Sequence, residues 1–516
     1  MYKFCFSFGW NEGGKEMNFM NVLRNVTNLT QTWNGAIAVK STQNAVVDLF
    51  GRIGSMRSWN DNINYKKLEK LFQRAYAENR ELAVKTIFYA RDCRGGMGEK
   101  SVFKLLMISF INSNFRPLER VVLENLTQIV EFGSWKDIID IFLATQSSEY
   151  KEILASFMRE QLQKDFNSEH PSLLSKWLPT INSRSKHTVE KAKKCIEYKI
   201  YVKNYRQDLI KLRRKIDITE SHIAAEDFEK IDYSNVSSKC MLLNRHLFLK
   251  KDKIRFQEYQ QGLVHGKAKI HSEVLFPVDI VKKYYTNSWD NWKCSAEKYD
   301  EILEQQWKAL PNYMTKALNA IPVVDTSASM TGTPMNVAVS IGIYIAERNP
   351  SEIYRNKLLE FSEVVDFLDL SQYTTLQQKI NAFCYQVANT DIEAVFKVIL
   401  QTAIEHKLEP KELPTHLIII SDMQFDEATT QSVNKTFMEN MRKLYEKQNY
   451  ILPDILYWNV NSFTNNFPET TRKGIAFVSG YSPAIMQAVL NTEILEPIEV
   501  IRNAVLVERY QNIVWE

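Results

Sequence analysis

The sequence predicts a fold of two unlike parts, a region of stacked helical pairs followed by a doubly wound α/β domain. Apolar residues recur with helical spacing from about residue 65 to residue 230, without strand signals. After Ala320, short apolar runs alternate with amphipathic segments of helical spacing. The chain of 516 residues is 45% hydrophobic and 12% aromatic, a composition typical of a folded protein with roughly two to four domains.

The helical region is predicted from apolar faces on successive segments. Pro117 opens one helix, and Ser134, after Gly133, is a suitable N-cap for a helix that starts at Trp135. Helices of about 12–16 residues joined by short polar loops are typical of HEAT or armadillo repeats. The apolar faces comprise Leu68, Leu71, Phe72, Ala75 and Tyr76, then Leu82, Ala83, Ile87 and Ala90, and, along the helix after Pro117, Leu118, Val121, Val122, Leu126 and Ile129.

The alternation after Ala320 predicts a mostly parallel sheet, because successive strand–helix–strand units form parallel crossovers. In such sheets, ligands bind beyond the carboxyl ends of the strands. The predicted strands are Ala320–Asp325, Lys357–Phe361, Val364–Leu368, His416–Asp422, Asp454–Trp458 and Gly474–Val478. The predicted helices are Met335–Glu347, Asp391–Glu405 and Thr430–Glu446.

These patterns divide the chain into four segments. We predict an N-terminal tail at 1–30, in which Met17 or Met20 is a candidate natural start. The helical domain follows at 31–315 and the α/β domain at 316–490. Residues 491–516 are predicted to form a C-terminal helix that packs back.

Cysteine spacing and hydropathy indicate the compartment. The six cysteines are scattered and form no CxxC pair, which argues against a zinc site or a disulfide framework and fits a reducing compartment. No apolar run approaches the ~18 residues needed to span a bilayer, and the short apolar patch at Phe4–Trp10 is a poor signal peptide. We therefore expect a cytoplasmic protein with no membrane partner.

The most informative motif is the Asp-x-Ser-x-Ser loop after the first predicted strand of the α/β domain. Asp325, Ser327 and Ser329 place three hard oxygen atoms on one turn, which suits a small divalent cation such as Mg²⁺. Thr390 lies where a predicted helix begins, and Asp422 lies where a buried strand ends. Taken singly, these residues also fit an Asx turn, a helix cap and a strand-end acid.

In their order along the chain, and in the predicted strands and helix that carry them, these elements resemble the metal-ion-dependent adhesion site of von Willebrand factor A domains. The resemblance implies that Asp325, Ser327 and Ser329 bind Mg²⁺, or another divalent cation such as Mn²⁺ or Ca²⁺, directly or through water. It implies that Thr390 and Asp422 complete the ligand shell, with Asp391 a weaker candidate. It also implies that a protein partner donates a carboxylate as the last ligand, which is binding without turnover.

The charge distribution points to a polyanion. Residues 184–215 contain twelve Lys or Arg and three acids, a net charge of +9, whereas the whole chain carries only +4. Such a positive segment is the footprint expected for a nucleic-acid partner. A solvated helix face is the alternative, and the interleaved Tyr198, Tyr201 and Tyr205 favour packing over base stacking.

Several motifs of the first half resemble the TROVE module of the Ro autoantigen family, and in particular its bacterial, phage and plant relatives that combine helical repeats with an A-like domain. The resemblance covers most of residues 30–490, and its specific elements are the Arg94–Glu99 stretch and the α/β-domain motifs. The residues that carry it are Thr32–Ala36, Asp48–Phe50, Arg91–Lys100, Gly133–Asp137, Lys176–Pro179, Ile231–Ser238, Arg255, Phe256, Tyr259, Lys267–Ile270, Pro277, Tyr457–Val460 and Val478–Pro483.

Membership of that family implies a ring of helical repeats closed by the A-like domain, with small structured or misfolded RNA bound in the ring and on its rim. Because such a ring closes on itself, we expect a monomer. Lys and Arg side chains that neutralise phosphates would make the affinity steeply salt-dependent. The candidate RNA-binding residues are Arg94, Lys100, Arg184, Lys186, His187, Arg206, Lys211, Arg213, Arg214 and Lys215.

The glycine-rich loop Gly95–Gly98 has two interpretations. It lacks Walker A spacing and follows a helix rather than a strand. A helix–helix turn that needs positive φ and close approach is the simpler interpretation. The other is a phosphate contact to which Arg94 and Lys100 contribute.

The sequence offers no catalytic constellation: it lacks a nucleophile elbow, a metal-hydrolase histidine pair and a P-loop. We therefore expect no enzymatic activity. The predicted function is that of a Ro-like RNA-binding protein, the scaffold of a small ribonucleoprotein, with a Mg²⁺-dependent adhesion site for a second partner. The alternative is a metal-dependent protein–protein adaptor that does not bind RNA.

Overall fold

A computed structural model gives the fold of the chain. It describes residues 27–32, 34–56, 62–216, 218–285, 296, 298–362, 364–385, 391–425, 437–461, 466–492 and 495–516. Most of the predicted N-terminal tail, the predicted ligand Thr390 and the start of the helix predicted at Thr430–Glu446 lie outside these residues.

The chain begins, within the described residues, with a short antiparallel hairpin that lies on the C-terminal domain. Strands β1 (Leu29–Gln31) and β2 (Ile37–Val39) pair with each other, and Val39 also forms an antiparallel bridge to Phe467. Helix α1 (Ala45–Ile53) follows and packs against the sheet of the C-terminal domain. Residues 29–53 therefore pack with the C-terminal domain.

The helical domain consists of helices, most of which bury an apolar face, as the helical periodicity predicts. They are α2 (Asn62–Glu78), α3 (Arg80–Arg91), α4 (Lys100–Ile111), α5 (Arg116–Leu123), α6 (Leu126–Phe132), α7 (Trp135–Ala144), α8 (Ser148–Asn167), α9 (Leu174–Trp177), α10 (Lys186–Glu197), α11 (Tyr205–Ile216), α12 (Thr219–Ala224), α13 (Ser238–Lys251), α14 (Lys253–Val264), α15 (Pro277–Val281) and α16 (Glu301–Lys308). Of these, α3 is buried on all sides and α12 has no buried residue.

One helix prediction is wrong in its continuity. The single helix expected after Pro117 is two helices, because α5 ends at Leu123 and α6 begins at Leu126. Between them, the buried side chain of Asn125 donates to the carbonyl oxygens of Val121 (2.8 Å) and Val514 (2.7 Å). The break therefore places Asn125 where it binds the C-terminal segment at Val514. A local sequence pattern does not reveal such a distant contact.

A second, smaller core holds the motifs at 231–238 and 255–259 together. The ring of Tyr233 lies 5.0–5.6 Å from those of Phe248, Phe256 and Tyr259. Arg255 donates to the carbonyl oxygens of Phe228 and Ile231. These residues therefore stabilise the fold of this region.

The C-terminal domain is a six-stranded mixed sheet with helices, consistent with the predicted α/β class. Its strand order is β5-β4-β3-β6-β7-β8, in which only β5 is antiparallel to its neighbour. This is the 3-2-1-4-5-6 order common in doubly wound folds, with an antiparallel edge strand. The strands are β3 (Ala320–Asp325), β4 (Lys357–Phe361), β5 (Val365–Asp369), β6 (His416–Ser421), β7 (Asp454–Asn459) and β8 (Ile475–Ser479).

Helices of this domain lie against a continuous apolar sheet. Gly342 of α17 allows the helix to approach β3 closely, since a Cβ there would collide with the side chain of Val324. The domain's helices are α17 (Thr333–Arg348), α18 (Leu376–Asn381), α19 (Ile392–Glu405), α20 (Phe437–Lys447), α21 (Ile485–Leu490) and α22 (Pro497–Val505). In the described part of the chain, no helix is both long and apolar enough to cross a membrane.

The C-terminal end returns to the helical domain. Tyr510 and Ile513 are buried, and α22 packs on α3. Arg509 and Tyr510 donate to the carboxylate of Asp92, in the loop after α3. The Gly95–Gly98 loop lies beside this contact: Gly98 has φ +67°, and a Cβ on Gly96 would collide with the carbonyl oxygen of Tyr89. These glycines therefore meet the needs of a tight turn.

Candidate functional site

The carboxyl edge of the central strands brings four of the five predicted metal-site residues together. Strands β3 and β6 are parallel neighbours with Val324 paired to Ile420, so Asp325 and Asp422 follow at the same edge. The Oδ1 atom of Asp325 accepts from the Ser327 amide (3.0 Å), and the Ser327 and Ser329 hydroxyls are 3.3 Å apart. The loop therefore turns its oxygens towards the strand ends.

The electrostatics of this edge favour a cation. Asp325 is fully buried and Asp422 is 3% exposed. Burial, followed by the nearby Asp325 carboxylate, raises the pKa of Asp422 to about 7, although hydrogen bonds with the Gln424 amide and with Ser329 oppose the shift. Two carboxylates removed from water repel each other, and an ion between them would offset that repulsion.

The donor set fits a hard divalent ion. It comprises two carboxylates and the hydroxyls of Ser327 and Ser329, and all of these are oxygen ligands of the kind that Mg²⁺ or Ca²⁺ prefers. Ser329 is exposed, so the set is open to solvent on that side. Among the described residues, no group of three or more His, Cys, Asp or Glu side chains suits a metal ion, and this set contains two acids.

Two further acids near this edge have structural roles: Asp391, the weaker metal-ligand candidate, and Glu360. Asp391 is the N-cap of α19, where its side chain accepts from the Ala394 amide (3.1 Å), and its own amide donates to Ser362 at the end of β4. Glu360 of β4 is buried and accepts from the amides of Cys384 and Tyr385. Glu360 therefore holds the backbone at Cys384 and Tyr385 in place. In the sequence, the only sign of this role is an acidic residue within an apolar strand.

Sequence reasoning missed two groups that support this edge, one at Asp325 and one at the loop after Asp422. Ser421 donates to Oδ2 of Asp325 at 2.5 Å. Thr32 and Asn34, from the start of the chain, donate to the carbonyl oxygens of Phe425 (2.6 Å) and Gln424 (2.8 Å). The Thr32–Ala36 motif thus lies against the candidate metal loop, which no local spacing indicates.

The predicted basic surface is exposed. Residues 184–215 all lie within the described part of the chain, and ten of their twelve Lys and Arg side chains are exposed. Arg184, Lys186 and His187 surround the N-terminus of α10, where backbone amides favour an anion. Of the three acids, Asp208 is buried and accepts from the amides of Val202 and Lys203.

Two predicted RNA-binding residues have internal partners. The guanidinium of Arg213 donates to the carbonyl oxygens of Ser175 and Leu178 and to the Thr180 hydroxyl. The Lys215 ammonium donates to the carbonyl oxygens of Phe166 and Ser168. Arg206, Lys211 and Arg214 are exposed, although the Lys211 ammonium lies 5.0 Å from the centre of the Phe166 ring.

The tyrosines of the basic segment pack, as expected. The ring of Tyr198 contacts that of Phe142 edge-on at 5.4 Å. The Tyr205 hydroxyl donates to the carbonyl oxygen of Pro179 at 2.7 Å. Both contacts are packing contacts within the helical domain.

A different aromatic side chain lies beside a predicted RNA-binding residue. Trp177 is 39% exposed, and the ammonium groups of Lys100 and Lys176 each lie 5.9 Å from the centre of its rings. Exposed aromatic rings flanked by cations can stack bases and neutralise phosphates. Arg94 is also exposed and donates to the carbonyl oxygen of Glu131 at 3.2 Å.

Two family models and a viral protein are similar to this chain in sequence. A domain of unknown function (DUF2828) matches residues 32–194 and 174–317, together more than half of the chain, and a second one (DUF7788) matches residues 319–512. The uncharacterized protein L728 of Acanthamoeba polyphaga mimivirus is 28% identical over 526 residues, which cover 92% of this chain and 87% of that protein.

Among solved structures, the Ro (RSR) protein of Deinococcus radiodurans aligns with 89% of this chain and 99% of its own. The sequence identity is 11% and the TM-score is 0.39, a likeness too weak to transfer a function. The resemblance to TROVE modules and to von Willebrand A domains therefore depends on the motifs quoted above.

Proposed function

This chain belongs to the DUF2828 family, and from that premise we propose that it is a Ro-like RNA-binding protein with a divalent-cation site in its α/β domain. The exposed basic surface of residues 184–215, which include α10 and α11, carries the proposal. Its ten exposed cations face solvent with only Glu190 and Glu197 as exposed acids in the same segment. The partner is a small structured or misfolded RNA, and the proposal includes no catalytic step.

The test of RNA binding is the salt dependence of affinity. The purified chain should bind a small structured RNA at low salt, and the logarithm of the association constant should fall linearly with the logarithm of salt concentration. RNA recovered from the native host at low salt, and lost at moderate salt, would identify the ligand. Folded protein that carries and binds no RNA at low salt would contradict the proposal.

The cation site is proposed to use Asp325, Ser327, Ser329 and Asp422, with Thr390 as the fifth ligand and Mg²⁺ as the ion. The residues that the structure describes supply the two carboxylates and two hydroxyls. When bound, the ion supplies an open coordination position for an acidic group of a partner. Asp325 and Asp422 hold the ion, and the Ser421 hydroxyl and the Ser327 amide orient Asp325.

Replacing Asp422 by asparagine should separate cation binding from folding. The substitution removes one of two buried charges that repel each other. We therefore expect the free energy of unfolding of the cation-free protein to rise by about 1–2 kcal/mol at pH 8. The melting temperature of the wild type should rise in millimolar MgCl₂, and that of Asp422→Asn should not. Glu446→Gln, an exposed carboxylate-to-amide change on α20, is the matched control. An equal Mg²⁺ response in wild type and Asp422→Asn would contradict the site.

The exposure of Ser329 favours a second function, that of a metal-dependent protein adaptor. An open side allows a partner's carboxylate to reach the ion. Affinity purification should then recover a protein whose binding is lost in chelator and in Asp325→Ala. A purified chain with the ultraviolet spectrum of bare protein would favour this function over RNA binding.

A further inference from the structure

A cationic pocket lies between α1 and α2, in residues that the proposed function does not use. The pocket has a volume of about 190 Å³ and is lined by Arg52, Met56, Lys67, Lys70, Leu71 and Arg74. Among the lining side chains that the structure describes, four of six are cations and none is an acid. Like charges at this density repel each other unless a counter-charge is bound.

The geometry of α2 creates this convergence. Lys67, Lys70 and Arg74 are spaced by three and four residues, so they share one face of the helix. Arg52, in the last turn of α1, faces them. The two helices pack side by side, and the pocket lies where these side chains meet.

Arg52 is held in place. It is 7% exposed, it donates to the carbonyl oxygen of Lys40 at 2.8 Å, and its guanidinium lies 4.3 Å from the centre of the Phe467 ring. Burial lowers the pKa of Arg52 to about 10, with Asp48 acting against the shift and Arg74 adding to it. A preorganised cation loses little freedom when it binds an anion.

Asp48, an acid that the structure describes beside the pocket, offsets one of the four positive charges. Asp48 is fully buried, and its oxygens accept from the amide and hydroxyl of Thr42 and from the hydroxyl of Ser41. Arg74 is 3.5 Å from it, at a side-chain exposure of 56%. Arg74 thus contacts Asp48 and also lines the pocket.

From this arrangement we propose that the pocket binds a phosphomonoester. A phosphate monoester carries a charge of about −1.5 to −2 at pH 7 and three strong acceptor oxygens, which match a cluster of four cations better than a monoanionic diester does. The buried Met56 and Leu71 add an apolar surface for the group that carries the phosphate. The pocket volume of about 190 Å³ is well above the ~10–15 Å³ that holds one water molecule, so the pocket has room for a phosphate group.

Calorimetry with nucleoside monophosphates tests this pocket directly. We expect the wild type to bind a nucleoside monophosphate and not the corresponding nucleoside. Lys70→Gln should weaken binding about tenfold, the scale of one charged hydrogen bond. Lys66→Gln is the matched control, because Lys66 is an exposed lysine of the same helix that does not line the pocket.

The phosphomonoester could belong to a free nucleotide or to the end of an RNA. Comparing a short RNA that has a 5′-phosphate with one that has a 5′-hydroxyl distinguishes these two sources. Preference for the free nucleotide or for the phosphorylated end would each support the pocket and name its source. Equal binding of nucleoside and nucleotide, equal losses in Lys70→Gln and Lys66→Gln, or no nucleotide binding at millimolar concentration would overturn it. A mononucleotide is too small to report on the α10–α11 surface, so failure here leaves the RNA proposal to its own test.

Discussion

Replacing four exposed cations of α10 and α11 by glutamine should weaken binding of a small structured RNA on the order of a hundredfold near physiological salt. The positions are Lys186, Lys193, Arg206 and Arg214. Each phosphate that a cation neutralises contributes about 0.7–0.9 to the slope of log affinity against log salt, so the slope should fall by about 3. All four side chains are exposed, and the fold should survive their replacement.

The choice of positions follows from the structure. Arg213 and Lys215 donate to backbone carbonyls of the helical domain, so their loss would mix stability with affinity. The matched control removes four exposed lysines of the α/β domain: Lys407, Lys411, Lys447 and Lys473. Equal losses in both variants would show a general charge effect and would rule out a specific α10–α11 surface.

Replacing Arg509 by alanine should destabilise the protein by about 3 kcal/mol, because it leaves a buried carboxylate without its cation. Asp92 is fully buried. Burial would raise its pKa, but hydrogen bonds from Arg509, the Arg94 amide and Tyr510 lower it below its ordinary value. A lowered pKa means that this contact stabilises the fold at neutral pH and is lost as the pH falls below about 4.

Denaturant unfolding at neutral pH measures this effect. Arg502→Ala is the control, because Arg502 pairs with Glu499 on the exposed face of α22, with side-chain exposures of 51% and 42%. It should change the free energy of unfolding by less than about 0.5 kcal/mol. If Arg509→Ala were as mild as Arg502→Ala, the Arg509–Asp92 contact would not be a main support of the packing between the C-terminal segment and the helical domain.

Strand prediction succeeded where the local pattern was sufficient. The bounds Ala320–Asp325 and Lys357–Phe361 match the structure, and the other four strands differ by a single residue at one or both ends. Buried parallel strands are short apolar runs between polar loops, a signal contained within a few residues. The prediction of one helix after Pro117 was wrong because Asn125 binds Val514, 389 residues away. Such a distant contact does not affect the local spacing of apolar residues.

The sequence by itself determined that Asp325 and Asp422 lie at strand ends, and hence that their oxygens meet at one edge of a parallel sheet. It also determined the charge of residues 184–215. Only the tertiary structure decided that Thr32 supports the loop after Asp422 across 393 residues, that Arg213 faces inward, and that Arg52 meets the cations of α2. The physical reason is that strand and helix patterns depend on neighbours in the chain, whereas these contacts depend on which surfaces pack together.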